Sequence, residues 1–218
     1  DEIIFYSRGS SGYDFINSNI LWNQNIYFSS NSCWLFIPEN KDIRGKRVNN
    51  VDESSAGVII DYGIVYKHKE TDLINLSGSG TEWYGNSIPS GEGTYPIILD
   101  LPNPKINADF SISVRLKGYS KSKASIPNHS LSLKFEDVDG LQIGQTLNWS
   151  GSGVRYINSI ENSLNLNNGT NLFYLVNSTN DNNSLPYLDY FEIKYKRMLT
   201  LNDNYEFFSP VINQNITL

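Results

Sequence analysis

Cys33 is the single thiol of this chain. A thiol nucleophile needs a base, usually an imidazole, within hydrogen-bond reach and a further group to orient that base. Cys33 lies in Asn31-Ser32-Cys33-Trp34-Leu35-Phe36, a strand-like run in which the simpler expectation is a small buried residue beside Trp34. The two histidines, His68 and His129, are far apart in sequence and carry no recognisable partner motif. Without clustered carboxylates they form no zinc-type ligand set, and a lone cysteine makes no internal disulfide. No metal and no organic cofactor is expected.

Carboxylates and glycines offer three further leads. Glu136, Asp137 and Asp139 precede Gly140, and several oxygens close together could hold Ca²⁺. The spacing does not continue as a helix-loop-helix calcium loop, whereas Asp-Gly is strong hairpin-turn chemistry, so a turn is expected. Asp52-Glu53 and the acidic pair Asp203 and Glu206 read as surface charge. Ser77-Gly78-Ser79-Gly80 and Gly151-Ser152-Gly153 lead into neither a lysine nor an amphipathic helix, so phosphate-loop logic fails. Trp22, Trp34, Trp83 and Trp149, with fourteen tyrosines, could build a sugar platform. Plugging of sandwich ends and seams is the plainer use of such rings.

The elements that would position these groups are strands. Hydrophobic residues make up 39% and charged residues 18% of the chain, both below globular averages, and the difference goes to Asn, Ser, Gly and Tyr. Those residues suit turns and half-exposed strands rather than helices. A net charge of −6 is a poor match to a nucleic-acid backbone, and no charge block invites capture of a polyanion or membrane surface. No apolar run approaches ~18 residues, so no membrane span is expected. The chain opens directly into Glu2-Ile3-Ile4-Phe5-Tyr6 and reads as a mature chain or an excised internal fragment, the fragment being the preferred expectation.

Period-two patterning predicts strands at Ile3 to Tyr6, Ile26 to Phe28, Trp34 to Ile37 and Val58 to Tyr66, the last ending in a solvated Lys67-His68-Lys69-Glu70. A second run is predicted at Tyr95 to Leu101, Asp109 to Lys117, Ser130 to Glu136, Val154 to Ile157, Ser163 to Leu166, Asn171 to Val176, Leu188 to Tyr195 and Tyr205 to Phe208. One short helix is a candidate at Thr71 to Leu76. Short strands at this spacing argue for an all-β fold, an antiparallel jelly-roll-like sandwich. Residues 1–76 read as a smaller N-terminal β subdomain and residues 77–218 as the sandwich. The Ser/Gly-rich stretch Thr71 to Gly93 is pinned by Trp83 and Tyr84 rather than free.

Three sets of residues, taken in order, carry a resemblance to one known family. The first is Asp1 to Gly9 followed by Gly12-Tyr13-Asp14, with Asn31-Ser32-Cys33-Trp34-Leu35 after it. Cys33 falls there where the family carries an aromatic, so the resemblance does not make it the nucleophile. The second is Gly80-Thr81-Glu82-Trp83-Tyr84-Gly85. Thr81 and Asn86 depart from the family's arginine and acid, so no ionic role carries over to them. The third is an ordered series through His129-Ser130-Leu131-Ser132-Leu133, Gly140, Trp149-Ser150-Gly151, Gly169-Thr170-Asn171 and Tyr187 to Leu199, which contains Asp189, Tyr195 and Arg197.

Together these stretches resemble the region upstream of the catalytic domain in gingipain-like cysteine peptidases (family C25), in their type IX secretion sortase branch, and the resemblance covers almost the whole chain. It implies a bacterial parent at the cell surface, outer membrane-associated or secreted, that is a cysteine peptidase. Its Cys/His pair would lie on a downstream α/β domain, and these residues would be the non-catalytic N-terminal β region. Glu82, Trp83, Tyr84, Gly85, His129, Trp149, Gly151, Asp189, Tyr195 and Arg197 are the motif positions and have structural rather than catalytic roles on this reading. The implied partner is the catalytic domain of the same polypeptide, with protein substrates or surface glycans as further classes. A carbohydrate-binding module and a purely structural surface domain are the competing readings.

Overall fold

The computed structural model describes residues 9–16, 19–25, 27–34, 39, 58–91, 93–120, 127–200 and 216–217. They contain twelve strands and no helix, and none of them forms a helix long and apolar enough to cross a membrane. The chain divides into two compact units, residues 1–55 and 56–218. The strands expected at Ile3 to Tyr6 and Tyr205 to Phe208 lie outside the described residues, as does most of Trp34 to Ile37.

In the first unit, β1 (Gly12–Ile16) and β2 (Asn19–Asn23) form an antiparallel hairpin that pairs Tyr13 with Trp22, their rings edge to face at 5.0 Å. The strand expected at Ile26 to Phe28 is absent where described. The Asn25 side-chain carbonyl instead accepts the amides of Tyr27 and Phe28, at 3.0 and 3.1 Å, and this local turn competes with strand formation. Cys33 and Trp34 lie outside any strand, and the expectation of a buried thiol is overturned: Cys33 is exposed and Trp34 is 94% exposed.

The second unit is the expected antiparallel sandwich. Its strands are β3 (Val58–Ile59), β4 (Tyr62–Glu70), β5 (Gly93–Leu101), β6 (Phe110–Lys117), β7 (His129–Phe135), β8 (Leu141–Trp149), β9 (Val154–Glu161), β10 (Gly169–Asn177), β11 (Tyr187–Met198) and β12 (Ile216–Thr217). One sheet runs β5-β10-β7-β8 and the other β4-β11-β6-β9, all pairs antiparallel. From β4 onward successive strands change sheet, except at the β7–β8 hairpin, which is the jelly-roll pattern. A short parallel pair joins β12 to β3. Because β4 pairs with β11 along its length, residues 58–76 belong with the sandwich, so the division expected after residue 76 falls after residue 55.

Alternation builds the core as read. Phe110, Ile112, Val114 and Leu116 of β6, beside Phe191, Ile193 and Tyr195 of the neighbouring β11, face Leu131, Leu133 and Phe135 of β7 and Phe173 and Leu175 of β10. The rings of Phe135, Phe173 and Phe191 stack in series at 5.1 and 5.0 Å. Each such side chain contributes about 1.5–3 kcal/mol on burial.

Two expectations fail, and one strand goes unread, for local reasons. Residues 71–76 form no helix, since the amides of Leu73 and Ile74 donate to the Tyr84 carbonyl and the Tyr84 amide donates back to Ile74. Residues 163–166 are not a strand: the Asn165 side chain accepts the Asn107 amide at 2.8 Å, while Leu164 and Leu166 still pack on the core. The unforeseen strand β8 hides its alternation, because Gly144 sits in the left-handed region at φ 64° and only Ile143 and Trp149 of its residues are buried.

Candidate functional site

The structure distributes the motif residues over three places, two at the start of β11's sheet neighbourhood and one at its end. The first centres on His129, at the head of β7 and fully buried. Its Nε2 faces the Gly151 carbonyl at 2.9 Å and its Nδ1 faces Ser184 Oγ at 2.8 Å. A carbonyl only accepts, so Nε2 carries the proton and Nδ1 accepts from the Ser184 hydroxyl. Ser184 Oγ in turn accepts from Asn177 Nδ2 at 3.0 Å, and the same amide group reaches the Ile88 carbonyl. Trp149 lies against the imidazole with ring centroids 4.6 Å apart, and the Gly151 amide donates to Asn128 Oδ1.

Burial holds the His129 ring below its ordinary value of 6.5, the Gly151 carbonyl pulling the other way. The ring is therefore a neutral bridge between β7, the residue-151 turn and the residue-184 turn. Gly118 closes this knot: a Cβ there would stand 2.4 Å from the Gly151 carbonyl oxygen and 2.6 Å from Trp149 Nε1.

The second place gathers Glu82, Trp83, Tyr84, Gly85 and Asp189. Residues 84–88 strap onto the start of β11, with Gly85 N to Leu188 O at 2.8 Å and Ile88 N to Pro186 O at 2.7 Å. Tyr84 is buried and donates its hydroxyl to Glu82 at 3.1 Å. Burial first, and then Glu82, push its phenol up to about 12. Trp83 donates its indole N–H to the Gly80 carbonyl.

A β-bulge between Leu188 and Tyr190 leaves Asp189 without a partner on β6, so Tyr187, Leu188 and Asp189 are all buried in succession. Asp189 is ion-paired with Arg115, whose Nε also reaches Tyr156 Oη. Burial pushes the Asp189 carboxyl up to about 6, against the pull of Arg115.

The third place is the far end of β11. Tyr195 donates its hydroxyl to the Pro102 carbonyl at 3.3 Å, and Arg197 is buried where Pro104 bridges to it. Backbone bonds from Lys105 to Lys196 and from Met198 to Asn103 tie the strand end down.

None of these places is a catalytic constellation. Both nitrogens of His129 are engaged inside the protein, and those of His68 face Glu70 and Glu192. Glu136 to Gly140 form the tight β7–β8 turn, closed by Gly140 N to Asp137 O at 3.0 Å. Among the described residues, no group of three or more His, Cys, Asp or Glu side chains is arranged for a metal ion. Trp149 is buried beside His129, Trp83 bonds to its own loop and Trp22 belongs to the first unit, so these three tryptophans share no platform within the sandwich.

What sequence reasoning did not single out is the outer face of β4-β11-β6-β9. Register sets three rows across it: Tyr66, Lys194, Ser111, Ile160; then His68, Glu192, Ser113, Asn158; then Glu70, Tyr190, Arg115, Tyr156. Short serines on the interior strand β6 lie between longer side chains of β11 and β9. They floor an open trough of about 360 Å³ lined by Tyr66, Ser111, Ser113, Asn158, Ile160, Glu192 and Lys194.

His68, expected in a solvated strand end, has a side chain only 4% exposed and packs on Tyr190 with centroids 5.0 Å apart. The polar positions of β6, Ser111, Ser113 and Arg115, alternating with its core residues, were the available signal for this face.

No family model and no curated protein matches the chain. Among solved structures it resembles dimeric latent PorU from Porphyromonas gingivalis, with TM-score 0.54 and 17% identity, over 67% of this chain and 14% of PorU. A family 35 carbohydrate-binding module from an environmental isolate aligns at TM-score 0.38 and 15% identity, over 68% of this chain and 96% of the module. A family 36 module in complex with calcium and xylotriose aligns at 0.35 and 15%, over 59% and 98%. The likeness to PorU shows a shared fold. This chain spans about one seventh of the length of that protein.

Proposed function

We propose that this chain is the non-catalytic N-terminal β region of a gingipain-like cysteine peptidase of the type IX secretion sortase branch. It would scaffold or position a catalytic domain of the same polypeptide at the bacterial surface or in secreted form. The observation that carries this reading is the use the fold makes of the family-motif residues. His129, Trp149, Gly151, Asp189, Tyr195 and Arg197 are buried packing and hydrogen-bonding locks, or the turn that serves one, and none of them lines the trough of about 360 Å³. Recurrence of such residues in order is what a common scaffold requires. The fold likeness to PorU, a protein of that branch, supports it, and the small share of PorU covered fits one module of a larger protein.

The test has two parts. The isolated chain is assayed for peptide hydrolysis under reducing conditions, and the coding sequence beyond residue 218 is read. The expected result is no turnover and a downstream α/β domain carrying a His/Cys pair. Thiol-dependent turnover abolished in Cys33→Ala would overturn the proposal, as would tandem sandwich domains in place of an α/β domain.

A second reading, carbohydrate binding, is favoured by one observation: the open face of β4-β11-β6-β9 combines tyrosine rings with hydroxyl, amide, amine and carboxylate groups. A glycan array with the isolated sandwich tests it, and silence across the array counts against it.

A further inference from the structure

Resting on that second reading, we propose that the trough over β6 is the binding site and that it takes a neutral, extended oligosaccharide lying along the strand. Its shape comes first. The trough is one strand wide, floored by Ser111 and Ser113 and walled by β11 on one side and β9 on the other. Two strand spacings of about 4.8 Å separate the walls. Its volume, about 360 Å³, is within the small-molecule range. A second hollow of about 150 Å³ shares Ser111, Ile160 and Lys194 with it and extends it past Phe110 toward Asp109 and Lys196. At the other end Arg115 and Tyr156 stand across the strand, hydrogen-bonded to each other at 3.2 Å. The result is a linear channel open to solvent along its top.

Chemistry then separates the polymers that could lie there. β6 is an interior strand whose ladders to β11 and β9 are both made. An extended peptide would find no free backbone edge in the trough, and strand addition depends on one. A polyanion is disfavoured because Lys196 is paired with Asp109 at 2.5 Å and Arg115 with Asp189, while Lys194 lies over the Tyr66 ring and Glu192 adds a negative charge to the lining.

What the lining does present is alternating hydroxyl, amide, amine and carboxylate groups from Ser111, Asn158, Lys194 and Glu192, flanked by Tyr66 and the apolar Ile160. Vicinal sugar hydroxyls pair with such donors and acceptors, and the C–H face of a pyranose packs on a phenol ring or an isoleucine. Tyr195 lines the second hollow and Asp189 is ion-paired with Arg115 at the other end, so the site borders two motif residues; the peptidase-module reading uses their burial and hydrogen bonds and does not need the trough empty.

The test is a titration of the isolated chain with cellohexaose, xylohexaose, laminarihexaose and mannohexaose, each by calorimetry, with dextran sulfate as the polyanion. Two variants accompany the wild type. Ser111→Tyr fills the floor at an outward strand position that accepts aromatic residues, and Tyr66→Ser removes the wall ring. Circular dichroism checks that each is folded, and amide shift mapping serves as a second readout that needs no variant.

The expected result is binding of at least one neutral hexaose, with amide shifts centred on residues 111–113 and 158–160, and a loss of about tenfold or more in both variants. Binding that survives Ser111→Tyr with shifts elsewhere overturns the trough assignment and leaves the carbohydrate reading standing. Absence of binding to every neutral hexaose overturns both, and binding of dextran sulfate alone overturns the neutral-ligand assignment.

Discussion

Asp189 and His68 lie on neighbouring strands, β11 and β4, one row apart, and both hold protons more tightly in the folded protein than in the unfolded chain. For Asp189 the folded value is about 6 against an ordinary 3.8, because burial outweighs Arg115. Its contribution to stability is therefore full below about pH 4 and is lost as the pH rises toward about 6. For His68, burial opposes the charge, but hydrogen bonds and charges from Glu192 and Glu70 prevail and raise it above 6.5. Its contribution is present below about pH 6.5 and is lost as pH rises through the folded value. The stability advantage of wild type over Asp189→Asn should shrink from pH 4 to 6, and that over His68→Gln above pH 6.5. Urea midpoints across this range check both, and an advantage that grows with pH contradicts the assignment. At the buried knot, His129→Leu leaves the Ser184 hydroxyl and the Gly151 carbonyl without the ring. With each orphaned group costing about 1–3 kcal/mol, the expected loss is on the order of 3 kcal/mol by urea denaturation.

Turns decide whether neighbouring strands meet in register. The β7–β8 hairpin depends on Gly140, where a Cβ would stand 2.0 Å from the Phe135 carbonyl oxygen and 2.8 Å from that of Asp137. Both contacts are backbone and cannot swing aside. Gly140→Ala should cost about 2 kcal/mol or more, read as a lowered urea midpoint. Ala at exposed Gly91, where a Cβ meets nothing, isolates the cost of positive φ alone. The edges of the sandwich are guarded by the same economy of position. Pro96 lies in edge strand β5, and Lys69 of edge strand β4 donates to the Ile98 carbonyl of β5 at 2.9 Å. The β11 bulge shows what one extra residue does. It leaves Asp189 buried next to Leu188 yet paired with Arg115, an outer-face position of β6, so the carboxylate is covered on that face and does not join the core between the sheets.

At the scale of the whole molecule, residues 56–218 contain both four-stranded sheets and the buried core. Expressed alone, this stretch should keep a β-type circular dichroism spectrum and unfold in one cooperative step; a broad, non-cooperative melt would show that the core needs residues 1–55. The long strands were legible because burial on one face imposes period two. β6, β7, β10 and β11 therefore stood out in Phe110 to Leu116, Leu131 to Phe135, Asn171 to Val176 and Leu188 to Tyr195. β8 was not legible, since an edge strand with a left-handed glycine buries too little to leave a pattern.

By itself the amino-acid order determined the fold class, the main core residues and the turn at Glu136 to Gly140, because alternation and turn chemistry are local and act within a few residues. Only the tertiary structure decided that His129, Trp149 and Gly151 form one knot, that Asp189 is buried against Arg115, and that β4 joins the sandwich. It also decided that Ser111 and Ser113 floor a trough between walls supplied by residues 158–160 and 192–194. These outcomes depend on strand order and register across the sheets, which pair residues dozens of positions apart and leave no mark in the spacing of either segment.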